Sequence, residues 1–239
     1  MTSFEGIYRK IESERQSWLE EATTIVPIPF FSGKTPRQRK DWWGCSAKTC
    51  ASTGLNDWID QTVPSNPGFA LDLCCGNSTS GIHLLQKRWR VLCVDYAQEA
   101  LSATCDRART IDKQWLKINQ LQTSCCSIET FKFPTDVDLV LASSALPYCN
   151  PLHIKTIMQN IYRSLKVNGL FVGNFFALEY VRNPGEIYVT RQMGAWFIPN
   201  KESVVQLLKG HGYEVVRCEA AGQQDPLSAL FAAKKIQID

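Results

Sequence analysis

The chain has 239 residues, 44% hydrophobic and 21% charged, with a net charge of +3. That length suits one large α/β domain, and the charge is too small to imply a nucleic-acid or membrane partner. No apolar run approaches the roughly 20 residues of a membrane span, and Met1 to Glu21 is charged throughout, unlike the apolar core of a signal peptide.

Residues 1–64 read as an N-terminal helical appendage or lid, and 65–239 as the main domain. Phe4, Ile7, Tyr8, Ile11 and Trp18 recur at helical spacing. Pro27 and Pro29 end that helix, and a basic loop from Lys34 to Lys40 leads to the pair Trp42-Trp43. The loop reads as solvated or as a contact for an anionic substrate; the tryptophans read as packing for the appendage or as a cover for a ligand cleft. A second short helix, about Leu55 to Thr62, stops at Val63-Pro64.

From residue 68 strands and helices alternate. A strand at 68–74 precedes a helix with Ile82, Leu85 and Trp89 on one face, and a strand at 90–95 precedes a helix with Ala97, Leu101, Thr104 and Ala108 inward. A third strand covers about 119–125 and a fourth 137–142. Ile154, Ile157, Met158, Ile161 and Leu165 predict a helix ended by Asn168-Gly169. Leu170 to Phe176 is nearly all apolar, as in a strand covered on both faces. After a helix over 201–208, two strands at 213–219 and 227–234 are closely joined and read as antiparallel, since a parallel crossover needs a dozen or more residues. The pattern is a doubly wound, mostly parallel sheet with an antiparallel last strand.

Two acids end the first two strands. Asp72 precedes the turn Leu73-Cys74-Cys75-Gly76-Asn77, followed by hydroxyl residues Ser78 to Ser80 at the start of a helix; Asp95 closes the second strand 23 positions later. This is the form of a nucleotide-type cofactor site at the carboxyl end of parallel strands, with the second acid placed for a ribose.

These segments, with Asp136 to Val140, Ala142 to Tyr148 and Ile161 to Leu170, resemble the class I S-adenosylmethionine-dependent methyltransferases over about residues 65–235. Within that class the chain is similar to small members of the tellurite-resistance and thiopurine type. The resemblance implies a seven-stranded α/β sheet, S-adenosylmethionine as cofactor and a small-molecule acceptor. It implies a cofactor site of Asp72, Cys74, Gly76, Asn77, Asp95, Tyr96, Ser127, Ile128 and Ser143. Asp95 would take both ribose hydroxyls, Tyr96 the adenine face, Ser127 and Ile128 the adenine edge, and Ser143 the methionine portion. Cys74 and Ser78 stand where the family turn usually has glycine, and Ser127 where it usually has Asp. Tyr148 is the candidate catalytic residue, with Tyr180, Arg182 and Arg191 as more distant ones; no dedicated base is evident.

Ten cysteines include no Cys-x-x-Cys, and the three histidines are scattered singly, so no metal site is expected and a reducing cytoplasm fits. His83 reads as structural. The acceptor atom and the oligomeric state are not legible. Two other readings of the same residues are a non-catalytic S-adenosylmethionine-binding regulatory module and a nicotinamide-dependent oxidoreductase, although the latter lacks the full Gly-x-Gly-x-x-Gly pattern.

Overall fold

A computed structural model describes residues 55–149, 151–176, 200–220 and 228–237, with 6, 9 and 13. Its elements run α1 (Leu55–Thr62), β1 (Phe69–Leu73), α2 (Thr79–Gln86), β2 (Arg90–Asp95), α3 (Gln98–Asp112) and α4 (Gln114–Lys117). They continue with β3 (Leu121–Cys125), β4 (Val137–Ala142), a short 3-10 turn (Leu146–Tyr148), α5 (Pro151–Ser164) and β5 (Leu165–Phe176). The last are α6 (Lys201–Gly210), β6 (Tyr213–Ala220) and β7 (Ser228–Lys235). The seven strands pair in the order β3-β2-β1-β4-β5-β7-β6. β7 runs antiparallel to both β5 and β6, and the pairs from β3 to β5 are parallel. The expected sheet and its reversed last strand are therefore present.

Strand sequence explains strand position. β4, Val-Asp-Leu-Val-Leu-Ala, lies mid-sheet and buries all but Asp138, as a strand covered on both faces must. β3 carries Gln122, Thr123 and Cys125 exposed on the outer edge. Each face of the sheet has its own core. On one side, Leu55, Trp58 and Ile59 of α1 and Ile82, Leu84 and Leu85 of α2 pack on Ala70, Val91, Leu139, Val172 and Ala232. On the other, Ile154, Met158 and Ile161 of α5 and Val204, Leu207 and Leu208 of α6 pack on Leu71, Val140, Phe171 and Phe231. Phe171 meets Phe231 edge-on at 4.8 Å, an arrangement that adds about 0.5–1.5 kcal/mol to the burial itself.

α1 is tied down at both ends of its face. Asp60 Oδ1 meets His83 Nε2 and Lys87 Nζ, each at 2.7 Å. Across the sheet the Arg217 guanidinium lies 4.1 Å from the Trp58 ring centroid and donates to Gln61 at 3.0 Å. The rest of the predicted appendage, including Trp42, Trp43 and Lys34 to Lys40, lies outside the described residues.

Two boundaries differ from expectation. The helix predicted to run to Asn168-Gly169 stops at Ser164, because Leu165 is already paired with Val137 across to β4. The next pair is Leu139 with Leu170, so residues 166–169 bulge out of the strand. Asn168 takes the left-handed turn at φ 68. Gly169 is needed for close approach, since a Cβ there would lie 2.9 Å from Lys166 O and 3.1 Å from Val137 O. The Asn-Gly signal thus marks a real reversal, inside a strand instead of after a helix. α2 likewise ends at Gln86, and Trp89 is buried from the loop beyond it.

Candidate cofactor site

The sheet order runs outward from the centre in both directions: β1, β2, β3 one way and β4, β5 the other. The loops after β1 and β4 therefore diverge to opposite faces and leave a crevice between them, the topological switch point where α/β proteins bind ligands. The predicted site residues collect there. Asp72 to Asn77 follow β1, Asp95 and Tyr96 end β2, Ser127 and Ile128 follow β3, and Ser143 follows β4.

Asp72 faces inward. Its carboxylate is 2% exposed and accepts the Ser78 hydroxyl at 2.6 Å and the backbone N–H of Gly81. Burial lifts its pKa to about 6; the Ser78 bond works against this, while the charge of Asp95 adds to the rise. The hydroxyls expected to cap α2 do not all do so: Ser78 makes no side-chain cap bond, because its Oγ is turned back onto Asp72. Gly81 is fixed by the same packing. A Cβ on it would meet Ser78 Oγ at 2.1 Å and Asp72 Oδ2 at 2.9 Å.

The turn takes three left-handed residues in alternation: Cys74 at φ 50, Gly76 at φ 54 and Ser78 at φ 49. The two positions where glycine was replaced are thus ones where glycine's freedom is used. Its backbone is held from several sides. Cys75 N–H donates to Val94 O at 3.0 Å, Ser78 N–H to Cys75 O at 2.7 Å, and Thr104 Oγ1 to Gly76 O at 3.2 Å. Asn77 Oδ1 accepts from Thr79 Oγ1 at 3.4 Å.

Asp95 joins the two acids' motifs directly. Its Oδ2 accepts Gly76 N–H and its Oδ1 accepts Ala97 N–H, each at 2.9 Å. Burial raises its pKa, opposed by the N–H groups of Ala97, Gly76 and Tyr96. A carboxylate offers about four acceptor positions, so capacity remains for a ligand hydroxyl. Tyr96 beside it is 75% exposed. Cys126 N–H donates to Asp95 O at 3.0 Å and draws the third loop in. There Ser127 Oγ accepts Glu129 N–H at 3.4 Å, and Ile128, 5% exposed, packs in the core.

Ser143 is half-buried at the exit of β4. Tyr148 closes the 3-10 turn with its backbone, but its side chain lies outside the described residues, as do Tyr180, Arg182 and Arg191. Cys74 hydrogen-bonds with Cys149, and Cys75 with Cys93; these contacts first, and burial second, hold the Cys74 and Cys75 thiols well above the usual range. The protonated form of both thiols is favoured. Among the described residues no three His, Cys, Asp or Glu side chains are grouped to hold a metal ion.

The parts that Asn174, Gly81 and Thr104 play in the site escaped the sequence reading. Ser144 and Asn174 bond to each other across β4 and β5; Gly81 and Thr104 pin the turn from α2 and α3. Asn174 had one visible signal: it is the polar residue in the otherwise apolar run Leu170 to Phe176, and a polar side chain in a doubly covered strand requires a partner.

A family model described as a methyltransferase domain matches residues 70–169. Among solved structures the chain is similar to the 1,6-didemethyltoxoflavin-N1-methyltransferase of Burkholderia thailandensis, solved with 1,6-didemethyltoxoflavin and S-adenosylhomocysteine bound. Identity is 14% over 89% of this chain and 93% of that one, with a TM-score of 0.64. The glycopeptide N-methyltransferase MtfA, complexed with S-adenosylmethionine, gives 13% identity, 78% and 94% coverage and a TM-score of 0.60. The [4+2]-cyclase SpnF gives 14%, 77% and 80%, and 0.61. No curated protein matches the chain by sequence. Residues 70–169 thus match a methyltransferase domain, and the chain shares its fold with these solved methyltransferases.

Proposed function

We propose that this chain transfers the methyl group of S-adenosylmethionine to a small-molecule acceptor by direct displacement. One observation carries the reading: the Gly76 N–H to Asp95 Oδ2 bond joins the β1 turn to the acid of β2 at the switch point, with Tyr96 exposed beside it. The residues suit the cofactor, since a ribose hydroxyl needs an acceptor, an adenine packs on a flat ring, and a left-handed Gly76 brings backbone close without a Cβ.

When bound, S-adenosylmethionine supplies a methyl already activated by its sulfonium. The chain's own work is then alignment and exclusion of water. Asp95 holds a ribose hydroxyl, and Tyr96, Ser127 and Ile128 border the adenine. Asp72 orders the turn and favours the ligand's ammonium group through its charge. Cys74, Gly76 and Asn77 line the cofactor with backbone, and Ser143 lies beneath the methionine portion. Tyr148 is assigned to the acceptor, and no general base is assigned. α1, which closes the predicted 1–64 appendage, grips the main domain through Trp58 and Asp60. A small acceptor is supported by the Burkholderia methyltransferase, which has 1,6-didemethyltoxoflavin bound.

The test is transfer of labelled methyl from S-adenosylmethionine into a metabolite extract, with calorimetry against S-adenosylhomocysteine and NAD. We expect turnover and S-adenosylhomocysteine binding, lost about 100-fold in Asp95→Ala, where a charged hydrogen bond disappears. Unchanged affinity in that variant refutes the ribose assignment. Tight binding without transfer across extracts favours a regulatory module, and SpnF shows that this fold also serves an enzyme named for other chemistry. Tight NAD binding with no response to S-adenosylhomocysteine would sink the proposal.

A further inference from the structure

The exit of β4 is held by a contact from β5, which carries none of the predicted cofactor residues. Asn174 on β5 is 2% exposed. Its Oδ1 accepts the backbone N–H of Ser144, and its Nδ2 donates to Ser144 Oγ at 3.1 Å. A neutral amide is suited to this because it accepts and donates at once. Ser144 sits at φ 51, in the left-handed region, which disfavours an L side chain by roughly five- to thirtyfold.

The path of the chain beyond Ser144 depends on that conformation. Ala145, Leu146 and Cys149 drop into the core. Cys149 Sγ donates to Ala145 O at 3.5 Å and its thiol meets Cys74 in the β1 turn. Any other φ at Ser144 would send this segment elsewhere and part it from that turn. β5 lies close against β4 at this point. Gly173, paired with Ala142, is so close that a Cβ on it would lie 2.6 Å from Ala142 O.

We infer that Asn174 is a positioning residue for the cofactor, selecting the left-handed state of Ser144 and so setting the Ser143–Leu146 segment against the β1 turn. The inference rests on the assignment of this crevice to S-adenosylmethionine. Without the clasp the segment spreads over alternative conformations, and the apparent dissociation constant rises by the inverse of the fraction still competent.

The experiment is titration calorimetry of the full chain with S-adenosylhomocysteine, with thermal unfolding alongside. Asn174→Ala should bind about tenfold more weakly. Adding Ser144→Gly should restore affinity to within about threefold, because glycine adopts this φ without steric cost. A purely structural loss at position 174 would not be repaired by a glycine in the loop. Wild-type affinity in Asn174→Ala overturns the inference, as does a double variant as weak as the single. Should Asn174→Ala fail to fold, Asn174→Leu keeps the volume, cannot accept the Ser144 N–H, and carries the same comparison. A wild-type protein that binds no S-adenosylhomocysteine refutes the cofactor assignment itself, and the inference falls with it.

Discussion

Replacing Asp72 with Asn removes a buried charge while keeping its shape and an acceptor for the Ser78 hydroxyl and the Gly81 N–H. Burial lifts the wild-type carboxyl from 3.8 to about 6. A carboxyl whose folded pKa lies above its unfolded value holds its proton more tightly when folded. It therefore favours the native state fully below 3.8, and that advantage is lost as pH rises through about 6. The rise corresponds to about 3 kcal/mol. Because Asn does not titrate, the wild type should lose about that much stability relative to Asp72→Asn between roughly pH 4 and 7. Urea unfolding of both proteins in small pH steps, compared at constant m, measures the difference. Parallel stability curves across the window would refute the claim that Asp72 is desolvated. The same charge predicts a ligand effect. A cationic ligand favours ionised Asp72, so S-adenosylmethionine affinity should rise from about pH 5 to 7 in the wild type and stay flatter in the variant.

Gly81→Ala would drive a Cβ to 2.1 Å from Ser78 Oγ and force that hydroxyl off Asp72. It should cost about 2–4 kcal/mol in chemical unfolding and weaken S-adenosylhomocysteine binding with it; wild-type stability would show that the packing is wrong. At Ser78, glycine relieves a left-handed residue by about 1 kcal/mol but gives up a charge-assisted bond of about 1.5–3 kcal/mol, whereas alanine gives up the bond and keeps the strain. Stability should therefore fall in the order wild type, Ser78→Gly, Ser78→Ala, and an inverted order in urea midpoints would rule out this balance.

The strands were legible because most are covered on both faces, which leaves a near-continuous apolar run whatever they pair with; β2 and β4 were read to the residue. The α5–β5 boundary was not. Leu165 continues the helical period, and its true partner, Val137, is 28 residues away in sequence. A local pattern cannot weigh that pairing. The site divides in the same way. Asp72, Gly76 and Asp95 announce themselves by position, at the ends of apolar strands. Asn174 and Ser144 act only as a pair, 30 residues apart, and Gly81 owes its necessity to two atoms of other residues.

The β1 turn also tells one ligand charge from another. In a dinucleotide site, free N–H groups of the glycine turn and helix start point at a pyrophosphate, and the turn presents positive potential. Here key N–H groups are already committed to carboxylates of the chain itself: Gly81 to Asp72, and Gly76, Tyr96 and Ala97 to Asp95. Two acids with raised pKa values lie close enough that one lifts the other. A crevice so arranged repels an anion and is relieved by a cation, which would pull both acids back toward ionisation. That accounts for Ser78 at a glycine position, since its hydroxyl helps hold Asp72 in place beneath the turn. The donor set thus suits a sulfonium and an ammonium, and opposes a pyrophosphate, independently of any likeness in fold.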